Sequence, residues 1–294
     1  MKIRTIIIIS AFLALVSCGG GYVNPSIRNT VKKNAADNIA LGLREYRTGN
    51  FNSAKSYYID ALFQSYSIDN TASVIDISQK LSELSLRLTN YSEASNYIFT
   101  ANNLRIHGDA DENIKKYDFI IYLTIGKYYE KAYENTNGYN LALAYYQKAA
   151  SAALNAPDRA GAYNNIGIAY LKLGAPETAS GWFENAKDIN QGAQVYDSLG
   201  DNYYYLGQSW SDRSDYTKAL LNYQLALKYD KIAEKSYSIL DDLKKIAAVY
   251  LKTGRNQDSA YYYNKAMKTA ESLGDALQTG DISNTIISIM KSGR

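Results

Sequence analysis

The stretch from Ala160 to Ala193 constrains the fold most, because Tyr163, Ile166, Gly167, Tyr170, Gly174, Ala179, Phe183, Ala186 and Ile189 recur there at helical spacing. Counted from Ala160, they stand at positions 4, 7, 8, 11, 15, 20, 24, 27 and 30. Small residues at 8, 20 and 27 let two helices approach closely, where a larger side chain would overpack the contact. Aromatic residues at 11 and 24 fill the space between helix pairs, and glycine at 15 ends the first helix. The unit reads as helix, turn, helix.

The pattern returns. Tyr196, Leu199, Gly200, Tyr203 and Gly207 are followed by Tyr216, Ala219, Tyr223 and Ala226, with the second half arriving seven residues late. Weaker units begin near Ala35 and Val74, another is centred on Ile125 and Gly126 with four extra residues, and the last runs from Leu240 to Leu273. Only three prolines interrupt the chain, at Pro25, Pro157 and Pro176, so the expectation is a mostly helical protein with a repeating core. Beyond the last unit, Ile282, Ile286, Ile287 and Ile289 are spaced to cover its open apolar end, as a terminal helix must in a stacked array.

Units with this signature resemble the tetratricopeptide repeat, a helix-turn-helix of about 34 residues. The resemblance implies an all-α fold: a right-handed superhelical solenoid of about six helix pairs over residues 35–273, with a C-terminal capping helix in 274–294. It also implies a concave side lined by the first helix of each pair, where positions 2, 5, 9, 12 and 13 face a partner. Transferred residue by residue, those positions are Lys127, Glu130 and Lys131 in the third unit, and Asn164, Ile168, Leu171 and Lys172 in the fourth. The fifth supplies Gln194, Asp197, Asp201, Tyr204 and Tyr205; the sixth supplies Asp241, Lys244, Leu251 and Lys252.

Such a groove has lysines on either side of an acidic and aromatic centre, and it suits an extended peptide segment or protein partner. Members that clamp a terminal carboxylate use lysine and asparagine at positions 5 and 9. Asn164 and Ile168 stand there in the fourth unit, so that activity does not carry over. Tyr204 and Tyr205 follow the consensus core residue Tyr203 and are expected at the surface. Trp210 lies in the seven-residue delay, Gln208 to Ser214, where either the first helix extends by about two turns or a loop protrudes; its ring is then an exposed anchor or packs across the lengthened turn.

The N-terminus supplies a location. Lys2 and Arg4 precede an apolar run from Ile6 to Val16, which is too short for a transmembrane helix of about 20 residues. Leu15-Val16-Ser17-Cys18 resembles the lipobox of bacterial lipoproteins, which implies cleavage of residues 1–17 and covalent lipid on Cys18. Residues 18–34 then form a tether. Two or more acyl chains hold a protein stably on a membrane, whereas one does so marginally. Gly19 lacks the aspartate that retains some lipoproteins at the inner membrane, so the expectation leans to the outer membrane.

Little chemistry is on offer elsewhere. His107 is the only histidine and Cys18 the only cysteine, which excludes a histidine-based metal site, a histidine triad and a disulfide framework. The formal charge of +3 falls to +1 once Lys2 and Arg4 leave with the leader, so nucleic acid is not an expected partner. The expectation is a non-enzymatic envelope scaffold, without cofactor or metal, that binds envelope proteins or peptide segments, with self-association as a further option. The alternative is a solute-binding accessory of a transporter.

Overall fold

The computed structural model describes residues 24–107 and 115–292, and every regular element among them is a helix. In chain order these are α1 (Pro25–Arg47), α2 (Phe51–Ser67), α3 (Thr71–Arg87), α4 (Tyr91–His107), α5 (Asp118–Ala132), α6 (Thr136–Ala152) and α7 (Ala156–Lys172). They continue as α8 (Pro176–Gly192), α9 (Tyr196–Asp212), α10 (Tyr216–Ile232), α11 (Ser236–Lys252), α12 (Asn256–Ser272) and α13 (Ala276–Ser292). Cys18 and the leader lie outside the described residues. The expected tether ends sooner than residue 34, because α1 begins at Pro25. Proline suits a first helical turn, and the Asn24 side chain caps it by accepting from the Ser26 N–H at 3.0 Å. Residues 25–30 are exposed, so the cap rather than burial starts this helix.

Two compact units divide within α3, one reaching to Leu81 and the other spanning Ser82–Arg294. In the first, α1 packs on α2, and a Cβ at Gly42 would lie 2.6 Å from the Tyr58 ring. In the second, α5 to α13 pair in sequence, each helix packing on the next. Helices α5 and α7, α7 and α9, and α9 and α11 also touch, which places these odd-numbered helices side by side.

The repeat is longer than the family unit expected from the sequence. From α6 onward every helix spans 17 residues. Turns of three separate them, so helices start twenty residues apart and pairs forty apart. In this frame nothing is late: Gly167, Ala179, Phe183 and Ala186 recur as Gly207, Ala219, Tyr223 and Ala226, then as Ala247, Ser259, Tyr263 and Ala266. The shorter frame put Gly200 where Gly207 belongs. A slip of seven residues is almost two turns at about 3.6 residues per turn, so it preserves the helix face and escapes a count of periodicity. In α3 the small position falls on Ser82, and its buried hydroxyl donates to the Ala94 carbonyl at 2.9 Å.

Close approach explains the small residues. A Cβ at Gly167 would stand 2.5 Å from the Phe183 ring, and one at Gly207 would stand 2.8 Å from Tyr223. From α7 onward the three-residue turns share a second requirement, a left-handed middle residue. Gly174, Gly254 and Gly274 meet it at φ of 74°, 74° and 70°, while Gln194, Ser214 and Glu234 adopt 58°, 62° and 54°. A residue with a Cβ costs about 1–2 kcal/mol in that region. The return bonds offset part of it: the Val195 N–H reaches the Asn190 carbonyl at 2.8 Å, closing the end of α8.

The expected capping helix is α13. Ile282 and Ile286 are buried against Leu240, Leu243, Ala266 and Ala270, whereas Ile287 turns outward.

Candidate partner-binding groove

The longer frame sets equivalent side chains of α7, α9 and α11 in rows. One row is Asn164, Tyr204 and Lys244; beside it run Asn165, Tyr205 and Lys245. The surface therefore changes along the array from amide, through aromatic, to cationic.

Asn164 is held by a chain of amides. Asn190 donates to Asn202 at 2.8 Å, and Asn202 donates to Asn164 at 2.8 Å, linking α8, α9 and α7. Tyr204 and Tyr205 are not the free surface rings expected from their place after Tyr203. Both are half-buried: Tyr205 stacks on Phe183 at 5.2 Å, and Tyr204 meets Tyr223 edge-on at 5.8 Å. Burial, helped by Asp201, Glu130 and Asp241, pushes the Tyr205 hydroxyl up to about 12. Tyr204 is raised further, by burial first and then by Asp241. These hydroxyls stay neutral and keep a proton to donate. Lys245 lies 5.6 Å from the Tyr204 ring centroid, and burial lowers its pKa against the pull of Asp212 and Asp241.

The remaining candidates separate into braces and rim. Lys127 pairs with Glu83 at 3.0 Å, and Lys244 donates to Gln278 at 2.8 Å and to Asp241 at 3.3 Å, tying neighbouring odd-numbered helices together. Partly exposed pairs of this kind contribute about 0–1 kcal/mol each, so they orient side chains more than they stabilise the fold. Asp201 pairs with Lys235 at 3.3 Å, and Lys235 also donates to the Asp197 carbonyl. Asp197 is exposed at the start of α9. Glu130 accepts from the buried Tyr146 hydroxyl at 2.6 Å. Lys172 and Lys252 are exposed in the last turns of α7 and α11, where a cation complements the helix dipole. Lys252 also lies 5.7 Å from the Tyr216 ring.

The longer frame moves one candidate and decides between the two readings of another. Gln194 is the exposed middle residue of the α8–α9 turn rather than part of a helix face, a consequence of the slipped register. Trp210 is on no loop: Gln208 to Asp212 completes α9, and only three residues form the turn. Its half-buried ring packs against the buried cluster of Ala219, Tyr223, Ile246, Val249 and Tyr250, with Arg213 and Lys218 over it at 4.3 and 4.1 Å. Trp210 thus holds the register position of Tyr170 and Tyr250. The shorter frame missed Asn202, Asp230, Asp242 and Lys245. The recurrence of Ala179 as Ala219, and of Ala226 as Ala266, was the signal that could have found them.

His107 is exposed at the end of α4. Among the described residues, no group of three or more His, Cys, Asp or Glu side chains is placed to hold a metal ion. No helix among them is long and apolar enough to cross a membrane.

No sequence-family profile and no curated protein matches this chain. Solved structures do match in fold. The STAND-type signal transduction ATPase with a tetratricopeptide repeat sensor from Pyrococcus horikoshii superposes with a TM-score of 0.67 at 16% identity, over 90% of this chain and 40% of that one. The chain therefore spans two fifths of that protein. A Rap protein complexed with competence and sporulation factor gives a TM-score of 0.55 at 16% identity, covering 88% of this chain and 75% of that one. Pseudomonas aeruginosa pilF gives 0.56 at 16% identity, covering 88% and 99%. At these identities the likeness defines the architecture alone: an all-α solenoid of tetratricopeptide-type helix pairs.

Proposed function

We propose that this chain is a non-catalytic scaffold of the bacterial envelope, tethered by lipid on Cys18, that holds a protein segment along α7, α9 and α11. The supporting observation is the ordered row Asn164, Tyr204, Lys244, with Asp201, Asp241 and Lys172 at its margins. Structural demands account for the small and aromatic residues between the helices, but they do not require amide, aromatic and cation in that succession. A segment laid along it would meet hydrogen-bonding amides first, then two fixed neutral tyrosines, then lysines. Pre-ordered rings lose little entropy on binding, which favours Tyr204 and Tyr205 as central contacts. The matched Rap structure, which holds competence and sporulation factor, is consistent with an occupant on this fold. Lipid on Cys18 would raise the local concentration of one partner near a second in the membrane.

An open depression of about 630 Å³ lined by Asp118, Tyr122, Gln147 and Lys148 lies between α5 and α6. It is separate from the groove residues and does not enclose a solute, so it gives the transporter reading no support.

The test reverses two exposed margin charges, Lys172→Glu with Asp241→Lys, in the anchored protein. Capture of the partner by affinity purification from crosslinked cells should fall by about tenfold, equivalent to about 1.4 kcal/mol, with an unchanged thermal midpoint. Full capture by this variant would exclude the groove as the docking site.

A further inference from the structure

The amide pair Asn190 and Asn202 recurs one helix pair later as a pair of acids, Asp230 on α10 and Asp242 on α11. The acids are as buried as the amides: Asp230 is 1% exposed and Asp242 is 0% exposed. Asp230 sits directly on α9, since a Cβ at Gly200 would lie 1.9 Å from its Oδ1. The amide pair closes its interface with a hydrogen bond of 2.8 Å, because one amide donates and the other accepts.

Two carboxylates cannot make that bond. The Asp230 and Asp242 carboxyls face each other within hydrogen-bonding reach, yet Asp230 Oδ1 and both Asp242 oxygens find no donor. One proton held between them would supply it. The other charged groups around the pair do not remove the need. Asp201 from α9 and Asp241 from α11 add negative charge, and Lys235 in the α10–α11 turn is 3.9 Å from Asp230 and is shared with Asp201. The phenols of Tyr204 and Tyr223 stand nearby and are neutral.

We propose that the α10–α11 interface is a proton-dependent latch, closed while Asp230 and Asp242 share one proton and loosened when that proton is lost. Burial, and then the charge of the neighbouring carboxylates, raises both acids above the usual carboxylate range. In the unfolded chain each ionises at about pH 3.9. Folding therefore retains a proton from that pH upward, and stability falls as pH rises through the folded pair's ionisation. Opening would displace Lys244 and Lys245, the cationic end of the groove, with Asp241 at its margin, while the amide-closed α8–α9 interface stays indifferent to pH. The latch stands independently of partner binding and is tested without a partner.

Trp182 and Trp210 are the only tryptophans, and Trp210 packs against α10 and α11. In a Trp182→Phe chain, Trp210 emission and the thermal midpoint are followed between about pH 6 and about pH 10, across the loss of the pair's last proton. The expected result is a red shift and a midpoint loss of about 3–6 °C toward high pH. Asp230→Asn with Asp242→Asn, which copies the amide pair, should abolish both changes. If that double variant does not fold, Asp242→Asn alone carries the same expectation, because its amide donates to Asp230. A chain whose emission and midpoint ignore pH, or an asparagine variant that keeps the full dependence, would overturn the latch.

Discussion

Phe183→Ala is expected to destabilise the Ser82–Arg294 unit by about 3–5 kcal/mol, the range for deleting a buried aromatic side chain. Phe183 is fully buried, lies over Gly167, stacks on Tyr205, and belongs to one cluster with Ala179 and Leu206. Glycine at position 167 cannot fill the resulting void, and the α7–α8 contact is already too close for backbone collapse to close it. Phe183→Tyr is the control, since Tyr58, Tyr146 and Tyr223 occupy the same place in other pairs. Its cost is expected to be about 1–2 kcal/mol, from burying a hydroxyl without the partner that Glu130 gives Tyr146. Urea unfolding of the three proteins measures both. A loss below about 1 kcal/mol for the alanine variant would mean that the ring is not the filler of this interface.

Asn202→Leu should cost about 2–4 kcal/mol although leucine has a similar size and is more apolar. The magnitude follows from what is left behind: the buried Asn190 loses its acceptor and the half-buried Asn164 loses its donor, and an unpaired buried polar group costs about 1–3 kcal/mol. The gain from burying leucine, about 1.5–3 kcal/mol at most, offsets part of that sum. Replacing Asn190 as well removes one stranded group, so the double variant Asn190→Leu with Asn202→Leu should be less damaged than the sum of the single ones, by about 0.5–3 kcal/mol. Strict additivity in chemical denaturation would show that the amides do not act as a chain.

The helices and their pairing were legible in the chain because Ala179, Phe183 and Ala186 mark a packed face with chemistry that few other residues satisfy. The period was not. Family resemblance imposed a period too short for these helices, and the seven-residue slip hid itself by preserving the helix face. That error displaced Gln194 from a turn to a groove and left Trp210 between a packed ring and a loop anchor. It also concealed the polar core, since Asn190 and Asp230 align only in the longer frame. Tyr204 and Tyr205 are half-buried instead of free at the surface, because each ring also serves the packing. Local composition cannot report such shared duty, because it depends on Phe183 and Tyr223 from neighbouring helices.

The most direct test of the scaffold account is site-specific photocrosslinking in intact cells. A photoreactive residue replaces Gln208, on α9 in register with Ile168 and Ala248, or Gln224, exposed on α10. Each substitution is made in the lipid-anchored chain and in a Cys18→Ser chain. The account expects a discrete protein adduct from position 208 in the anchored chain, a weaker one when Cys18 is replaced, and little from position 224. Equal adducts from both positions, or an adduct from position 224 alone, would contradict it.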